Sequence, residues 1–232
     1  MQKLSIIIPV YNEEKTILEI LKKVKNADSL GMKKEIIVVN DCSTDTTKGK
    51  LKSVKDRSIK IIHHSKNMGK GAAIRAGLKN STGDVILIQD ADLEYNPSEY
   101  PKLLKPILKN NADVVYGTRL ESIRKKIKSM YKLHFIGNIF LTALTNILYG
   151  TKITDMETGY KVFKSSVIKK IRLRADRFDF EPEITAKILK QGCKIHEVPI
   201  KFDGRQFSEG KKITWVDGLI AAYSLIKYRF MD

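Results

Sequence analysis

Cysteine is nearly absent. Cys42 and Cys193 are the only two in 232 residues and fall outside any Cys-x-x-Cys spacing. That excludes a disulfide framework and a thiolate zinc site, and it fits a reducing compartment. Acidic residues are also scarce: 26 Asp and Glu stand against 43 Lys and Arg, a net charge of +17. Such an excess points to an anionic partner, whether nucleic acid, an acidic membrane leaflet or a phosphorylated substrate. A lysine-coated protein without any such partner would show the same balance. Long apolar runs are missing too. The most apolar later stretch, Ile136 to Tyr149, is interrupted by Asn138, Thr142, Thr145 and Asn146, and it falls short of the ~20 residues that a bilayer requires. The opening MQKLSIIIPVYNEE reaches Pro9 and charge too soon for a secretion signal. There is no internal repeat and no low-complexity linker, and the length suits one sizeable core.

What is present is an alternation of short β-branched runs with helical patterns. Strands are expected at Leu4 to Ile8, Glu35 to Val39, Ile59 to His63, Asp84 to Ile88 and Ala112 to Tyr116. Helices are expected at Glu13 to Asn26, Lys70 to Lys79 and Pro97 to Lys109. The segment NDCSTDTT after the second strand is rich in turn and cap residues. This order predicts an α/β fold with a mostly parallel central sheet and helices on both faces. After Gly117 the pattern changes. Arg119 to Lys132 is a basic segment that reads as a loop or arm. An apolar helix follows from Ile136 to Tyr149, then a short strand at Lys161 to Phe163 and a helix at Glu181 to Gln191. An edge strand at Lys194 to Pro199 and a last helix from Trp215 to Phe230 complete a C-terminal helical extension.

In open α/β sheets ligands bind beyond the carboxyl ends of the strands, and the polar clusters of this chain fall there. Strand one runs into Pro9-Val10-Tyr11-Asn12-Glu13, and the second expected strand into Asn40-Asp41. The fourth leads to Gln89-Asp90-Ala91-Asp92 and the fifth to Gly117-Thr118-Arg119. Together they describe one crevice. Asp90 and Asp92, one residue apart, can both turn to a single divalent cation while Ala91 points away, and Glu94 is placed to add a third oxygen. Mg²⁺ or Mn²⁺ suits such oxygen ligands and leaves sites for substrate phosphates. An acidic turn capping the Pro97 helix is the competing reading. Lys70 lies in Gly69-Lys70-Gly71, but GxxxxGK[ST] is absent, so the glycines read as a tight turn with close helix packing. His63-His64 lacks matching ligands and is assigned no role. A dinucleotide-binding oxidoreductase would need GxGxxG after strand one, where PVYNEE stands. A nucleic-acid module would leave the acidic motif unexplained, so no nucleic acid is expected as a partner.

The ordered set PVYNEE, VVNDCSTD, NMGKGAAIRAG, DADLEY and GTR resembles a family 2 glycosyltransferase with the GT-A fold, a Rossmann-like architecture. TDMETGYKVF and RQFSEGK are similar to the dolichyl-phosphate mannose or glucose synthase branch. The likeness runs from about residue 4 to 230 and implies a single domain over 1–232. Within it, 1–118 would bind the nucleotide-sugar, and 119–232 would serve the acceptor and carry the amphipathic C-terminal helix.

The resemblance implies roles for the matching positions. Pro9, Tyr11 and Glu13 would border the nucleoside, with Tyr11 stacking on the base or packing in the core. Asp41 would accept from the base. Asp90 would meet the ribose or the metal, Asp92 the metal and Ala91 the donor, while Arg119 would grip a phosphate; Asp90, Asp92 and Arg119 would be catalytic. Arg205 and Lys211 would reach the nucleotide phosphates or the acceptor phosphate, and Lys132 the acceptor phosphate. Asp155 and Glu181 would meet sugar hydroxyls or position a loop.

The implied reaction is inverting transfer of a hexose, mannose ahead of glucose, from GDP-mannose or UDP-glucose to a polyprenyl phosphate of the dolichyl or undecaprenyl kind. A phosphate monoester needs cations to gather it rather than a base to deprotonate it, and the basic segment supplies them. The rival acceptor is a saccharide hydroxyl of a cell-surface glycan. The two apolar helices read either as a surface for an anionic membrane or as core packing. The expected location is cytoplasmic and peripheral, on the cytoplasmic face of a membrane, with a partner protein as one route to anchoring.

Overall fold

Apolar β-branched runs pair into one seven-stranded sheet in a computed structural model that describes residues 2–122, 132–204 and 215–231. The strands are β1 (Lys3–Val10), β2 (Lys33–Asn40), β3 (Ile59–His63), β4 (Val85–Ile88), β5 (Val114–Thr118), β6 (Lys161–Lys164) and β7 (Ile195–Pro199), in the order β3-β2-β1-β4-β6-β5-β7. All neighbours run parallel except β6, which lies antiparallel between β4 and β5. The sheet is therefore mostly parallel, as the strand-helix alternation predicts. The insertion of β6 was not foreseen, because a four-residue run carries no signal of its direction.

The helices are α1 (Ile17–Asn26), α2 (Thr47–Lys52), α3 (Lys70–Asn80), α4 (Tyr100–Leu108), α5 (Lys132–Tyr149), α6 (Ser165–Ile168), α7 (Phe180–Lys190) and α8 (Trp215–Phe230). α1 starts four residues later than its periodicity predicts. The Glu13 carbonyl accepts from the Thr16 and Ile17 N–H groups, which makes 13–16 a turn. α2 grows out of the cap-rich NDCSTDTT segment. Asn96 caps a 3₁₀ turn at Pro97–Glu99 by accepting from the Ser98 N–H, so α4 proper begins at Tyr100.

The alternating faces of β1 show why both sides of the sheet are covered. Leu4, Ile6 and Ile8 join one core with Ile17, Ile20, Leu103 and Leu104 of α1 and α4. Ile7 joins the opposite core with Ile74 of α3 and Ile184 and Ile188 of α7. Burying one such side chain fully contributes about 1.5–3 kcal/mol. These two cores hold the strand ends in register at the carboxyl edge.

α5 and α8 answer the question of surface or core with a division of faces. Leu141, Ala221 and Leu225 meet Ile153 and Met156 in a small separate core. The outer faces leave Phe140, Ile147, Leu219, Tyr223 and Phe230 exposed, Ile147 at 80%. Among the described residues no helix is long and apolar enough to cross a membrane.

Candidate active site

A cavity of about 550 Å³ opens where β1, β2, β4 and β5 end, a volume typical of a small-molecule site. Pro9, Tyr11, Glu13, Asp41, Asp90, Ala91, Asp92, Glu94, Arg119 and Glu181 all line it. The four polar strand ends thus share one crevice. Arg205, Lys211 and the side chain of Lys132 lie outside the described residues, as does most of the basic segment.

The loops after β1 and β2 are tied to each other. Asn12 adopts a left-handed conformation (φ 53°), and its Oδ1 accepts from the Thr44 N–H at 2.8 Å. The Glu14 N–H donates to Asp45, and Glu14 Oε2 accepts from the Thr46 N–H and hydroxyl. Glu13 Oε2 accepts from Thr16 at 2.8 Å. PVYNEE and NDCSTD therefore form one hydrogen-bonded unit.

Asp41 anchors the next turn. Its carboxylate accepts from the Met68 N–H at 2.9 Å and the Gly69 N–H at 2.6 Å, and it meets His64 Nδ1 at 2.7 Å. A carboxylate offers about four acceptor positions, so these partners do not saturate it. His64, assigned nothing from sequence, is this carboxylate's partner. Gly69 has φ 95°, and a side chain there would collide with the Asp176 carbonyl, so the turn requires glycine.

That turn delivers Lys70 into the cavity. Its Nζ lies 2.9 Å from Asp90 Oδ1 and 2.9 Å from Glu181 Oε1. Burial works against its charge, but the two carboxylates outweigh burial and raise its pKa. From the sequence, Gly69-Lys70-Gly71 reads only as a tight turn, with no role for the lysine itself. No local pattern reveals a lysine that pairs with a helix far along the chain.

The acidic motif is held by a cage of tyrosines. Gln89 Oε1 accepts from the Tyr100 and Tyr160 hydroxyls, each at 2.8 Å, and its amide nitrogen donates to the Asp90 and Tyr95 carbonyls. The Gly159 N–H donates to the Tyr95 hydroxyl, and a side chain on Gly159 would run into the Asp90 carboxylate. Asp92 Oδ1 accepts from the Glu94 N–H at 3.1 Å. The expected metal trio of Asp90, Asp92 and Glu94 lines one wall. Among the described residues no three His, Cys, Asp or Glu side chains are gathered as a complete metal site. The all-oxygen donors nevertheless fit a cation of the Mg²⁺ type, which takes one or two carboxylates and completes its shell with water and phosphate oxygens.

Arg119 and Asp155 turn out to be partners. Arg119 Nε and Nη2 each donate to Asp155 at 2.7 Å, its N–H adds a bond of 2.9 Å, and the guanidinium stacks over Phe202. Asn138 donates to the same carboxylate. Burial pushes Asp155 up, yet Arg119 and these bonds win and lower its pKa. Asp155, expected at sugar hydroxyls or in positioning a loop, is not among the residues that line the cavity. It is buried behind Arg119 and sets the orientation of the guanidinium.

Glu157 was quoted within TDMETGYKVF and given no role. It lines the cavity, and its Oε1 is buried without a hydrogen-bond partner among the described residues, as is Glu181 Oε2. Burial and the nearby Glu181 charge push Glu157 up to about 7. Beneath it Lys161 is buried, donating to the Met156 and Thr158 carbonyls, and burial pulls it down to about 8 against those carboxylates.

The mostly parallel sheet places a paired-aspartate motif at a strand end beside this cavity, the arrangement of a GT-A fold. Residues 5–172 match the sequence profile of "Glycosyl transferase family 2". The chain belongs to that family and is a glycosyltransferase. It is 29% identical over 240 residues to UDP-N-acetylglucosamine–dolichyl-phosphate N-acetylglucosaminyltransferase of Methanococcus voltae, covering 95% of this chain and 94% of that one. It is 31% identical over 218 residues to dolichol-phosphate mannosyltransferase of Pyrococcus furiosus, covering 90% of this chain and 59% of that longer protein. These relatives bear out its likeness to the dolichyl-phosphate sugar synthase branch. The fold matches that of glucosyl-3-phosphoglycerate synthase from Mycobacterium tuberculosis, solved with Mn²⁺, UDP and glucosyl-3-phosphoglycerate. The TM-score is 0.75 at 17% identity, over 100% of this chain and 81% of that one.

Proposed function

We propose that this glycosyltransferase moves a hexose from a nucleoside-diphosphate sugar onto a polyprenyl phosphate at a membrane surface, with a divalent cation at the acidic motif. The observation that carries the reading is the sharing of one cavity by Asp90, Asp92 and Glu94 with Lys70 and Arg119. Carboxylates alone would repel a diphosphate; carboxylates with a cation and two basic side chains would hold one.

Asp90, Asp92 and Glu94 would hold Mg²⁺ or Mn²⁺, which when bound supplies positive charge against the departing diphosphate. The chain's own residues do the placing. Tyr11, Glu13 and Asp41 border the base and ribose on a loop unit locked by its own hydrogen bonds. Lys70 fixes the Asp90 carboxylate. Arg119 has five N–H donors, and its pairing with Asp155 leaves donors for a phosphate oxygen. The acceptor oxygen attacks the sugar carbon, the bond to the donor phosphate breaks, and the nucleoside diphosphate leaves with the electron pair, inverting that carbon. Because a phosphate monoester is already anionic, no base is needed.

Two observations support the lipid acceptor. The relatives reported above are named for dolichyl phosphate, and α5 and α8 present exposed apolar side chains beside Lys227 and Arg229. Such a face suits peripheral attachment to an anionic leaflet, and the scarcity of cysteine supports the cytoplasmic side. The test is competition. With Mn²⁺ present, GDP-mannose and UDP-glucose are each offered with a polyprenyl phosphate beside simple sugars. Sugar in the lipid extract with release of nucleoside diphosphate is expected. Glycosylation of the saccharide hydroxyls alone would overturn the acceptor assignment.

A further inference from the structure

Three of the four polar residues that interrupt the apolar run of α5 do the same job. Asn138, Thr142 and Asn146 are four residues apart, the spacing that stacks side chains along one side of a helix. All three turn to the segment 153–156. The Asn146 amide donates to the Ile153 carbonyl at 2.9 Å and accepts from the Ile153 N–H at 3.0 Å. Thr142 Oγ1 accepts from the Met156 N–H at 3.1 Å, and Asn138 donates to Asp155 Oδ1 at 2.9 Å. The same Asp155 carboxylate holds the side chain and the N–H of Arg119. Arg119 lines the cavity, as does Glu157, the residue after Met156. From the other side, Glu197 of β7 accepts from the Thr154 and Asp155 N–H groups at 2.7 and 3.0 Å. The segment behind Arg119 is thus clamped between the sheet and α5.

The opposite face of α5 carries Ile136, Ile139, Phe140 and Ile147, all exposed. Among the described residues α5 joins neither sheet core, and its buried apolar contacts are those of the small core shared with α8. An element with few buried contacts sits at the low end of local stability. Covering its outer face with lipid adds burial that the free protein lacks. We propose that Asn138, Thr142 and Asn146 are positioning residues that tie Arg119 to the seat of α5, so that docking of α5 on an anionic lipid surface strengthens the cavity's hold on a nucleoside diphosphate. A guanidinium whose support is already fixed costs less to order when the diphosphate arrives. Lipid is the occupant because the apolar side chains stand beside Lys227 and Arg229 on a chain of net charge +17. A second copy would set like charge against like. The inference rests on the membrane and nucleotide-sugar readings above and adds the coupling between the two sites. Such coupling is reciprocal: the factor that lipid adds to nucleotide affinity, nucleotide adds to lipid affinity.

The test uses the whole chain with free Mn²⁺ held constant. Co-sedimentation measures binding to vesicles of phosphatidylcholine and phosphatidylglycerol in equal parts. Equilibrium dialysis measures the affinity for UDP and GDP with and without those vesicles. In the wild type the vesicles should tighten binding of one nucleotide by about fivefold, and that nucleotide should tighten vesicle binding equally. Asn138→Ala and Thr142→Val should each reduce both enhancements to less than about twofold, while sedimenting as the wild type does when no nucleotide is present. Thr142→Ser keeps the hydroxyl and should keep the coupling. Variants at two sites guard against one failing to fold, and thermal melting checks each. Vesicle binding that leaves nucleotide affinity unmoved in the wild type, or full enhancement in folded Asn138→Ala and Thr142→Val, overturns the inference alone. Failure of the wild type to sediment with the vesicles overturns the membrane reading with it, and failure to bind either nucleotide overturns the nucleotide-sugar reading.

Discussion

Glu35 and Glu157 sit at opposite edges of the same sheet and have opposite fates. At the amino edge, Glu35 accepts from Lys3 at 2.7 Å, from Ser5 at 2.5 Å and twice from Thr82 at 2.9 Å. Burial pushes it up, but these partners win and leave it at about 2. At the carboxyl edge, Glu157 keeps an oxygen without a partner among the described residues and rises to about 7. The scaffold edge completes its hydrogen bonds from within the chain; the cavity edge leaves places for something else to complete. Buried polar groups left unmatched in an otherwise satisfied fold mark where a ligand belongs.

The comparison breaks most visibly at Lys70, whose loss strands two carboxylates. Lys70→Met should cost about 3 kcal/mol of stability in urea unfolding, since removing one partner of a largely buried ion pair leaves uncompensated charge. A loss below about 1 kcal/mol, the level of an exposed pair, would mean that Asp90 and Glu181 do not depend on this lysine. Asp92→Asn probes chemistry rather than fold: transfer should fall at least about a hundredfold, the scale for losing one charge-stabilising group, with the melting temperature nearly unchanged. A near-normal rate would remove Asp92 from the reaction.

Asn12→Ala tests the locked base end. It removes the bonds to Thr44 from a residue at positive φ, and about 1–2 kcal/mol of stability should go with them. An unchanged unfolding midpoint would show that the two loops hold without this tie.

Glu35 sharpens the other side of the comparison. Its folded pKa is depressed from 4.5 to about 2, so its contribution is present above pH 4.5 and is lost as the pH falls toward 2. Glu35→Gln should flatten that acid dependence by about 1–2 kcal/mol, after allowance for its partial exposure. Identical acid profiles for variant and wild type would contradict the pairing.

Much of this was legible in the sequence, for physical reasons. β-Branched runs and turn residues gave the strands and their ends. Since a parallel sheet collects its strand ends on one edge, Asp41, the Asp90–Asp92 pair and Arg119 could be grouped before any coordinates. What the sequence hid was pairing over distance. Lys70 meets Glu181, His64 meets Asp41 and Arg119 meets Asp155 only after folding. Neither residue of such a pair carries a local mark, so from sequence Asp155 reads as a contact to sugar hydroxyls or a loop-positioning residue, and Lys70 carries no role of its own. Gln89 is a further case: inside a motif read for metal binding, it is the hub that fixes the motif to three tyrosines.

The central claim is that Asp90 and Asp92 act with a divalent cation to hold a sugar-bearing diphosphate at the carboxyl edge of the sheet. The most direct measurement is the affinity for UDP and GDP with and without Mn²⁺, in the wild type and in the double variant Asp90→Asn, Asp92→Asn. Mn²⁺ should tighten binding of one nucleotide by at least about tenfold in the wild type, worth about 1.4 kcal/mol, and leave the folded variant unmoved. An affinity indifferent to Mn²⁺ in the wild type, or equally enhanced in the variant, would contradict it.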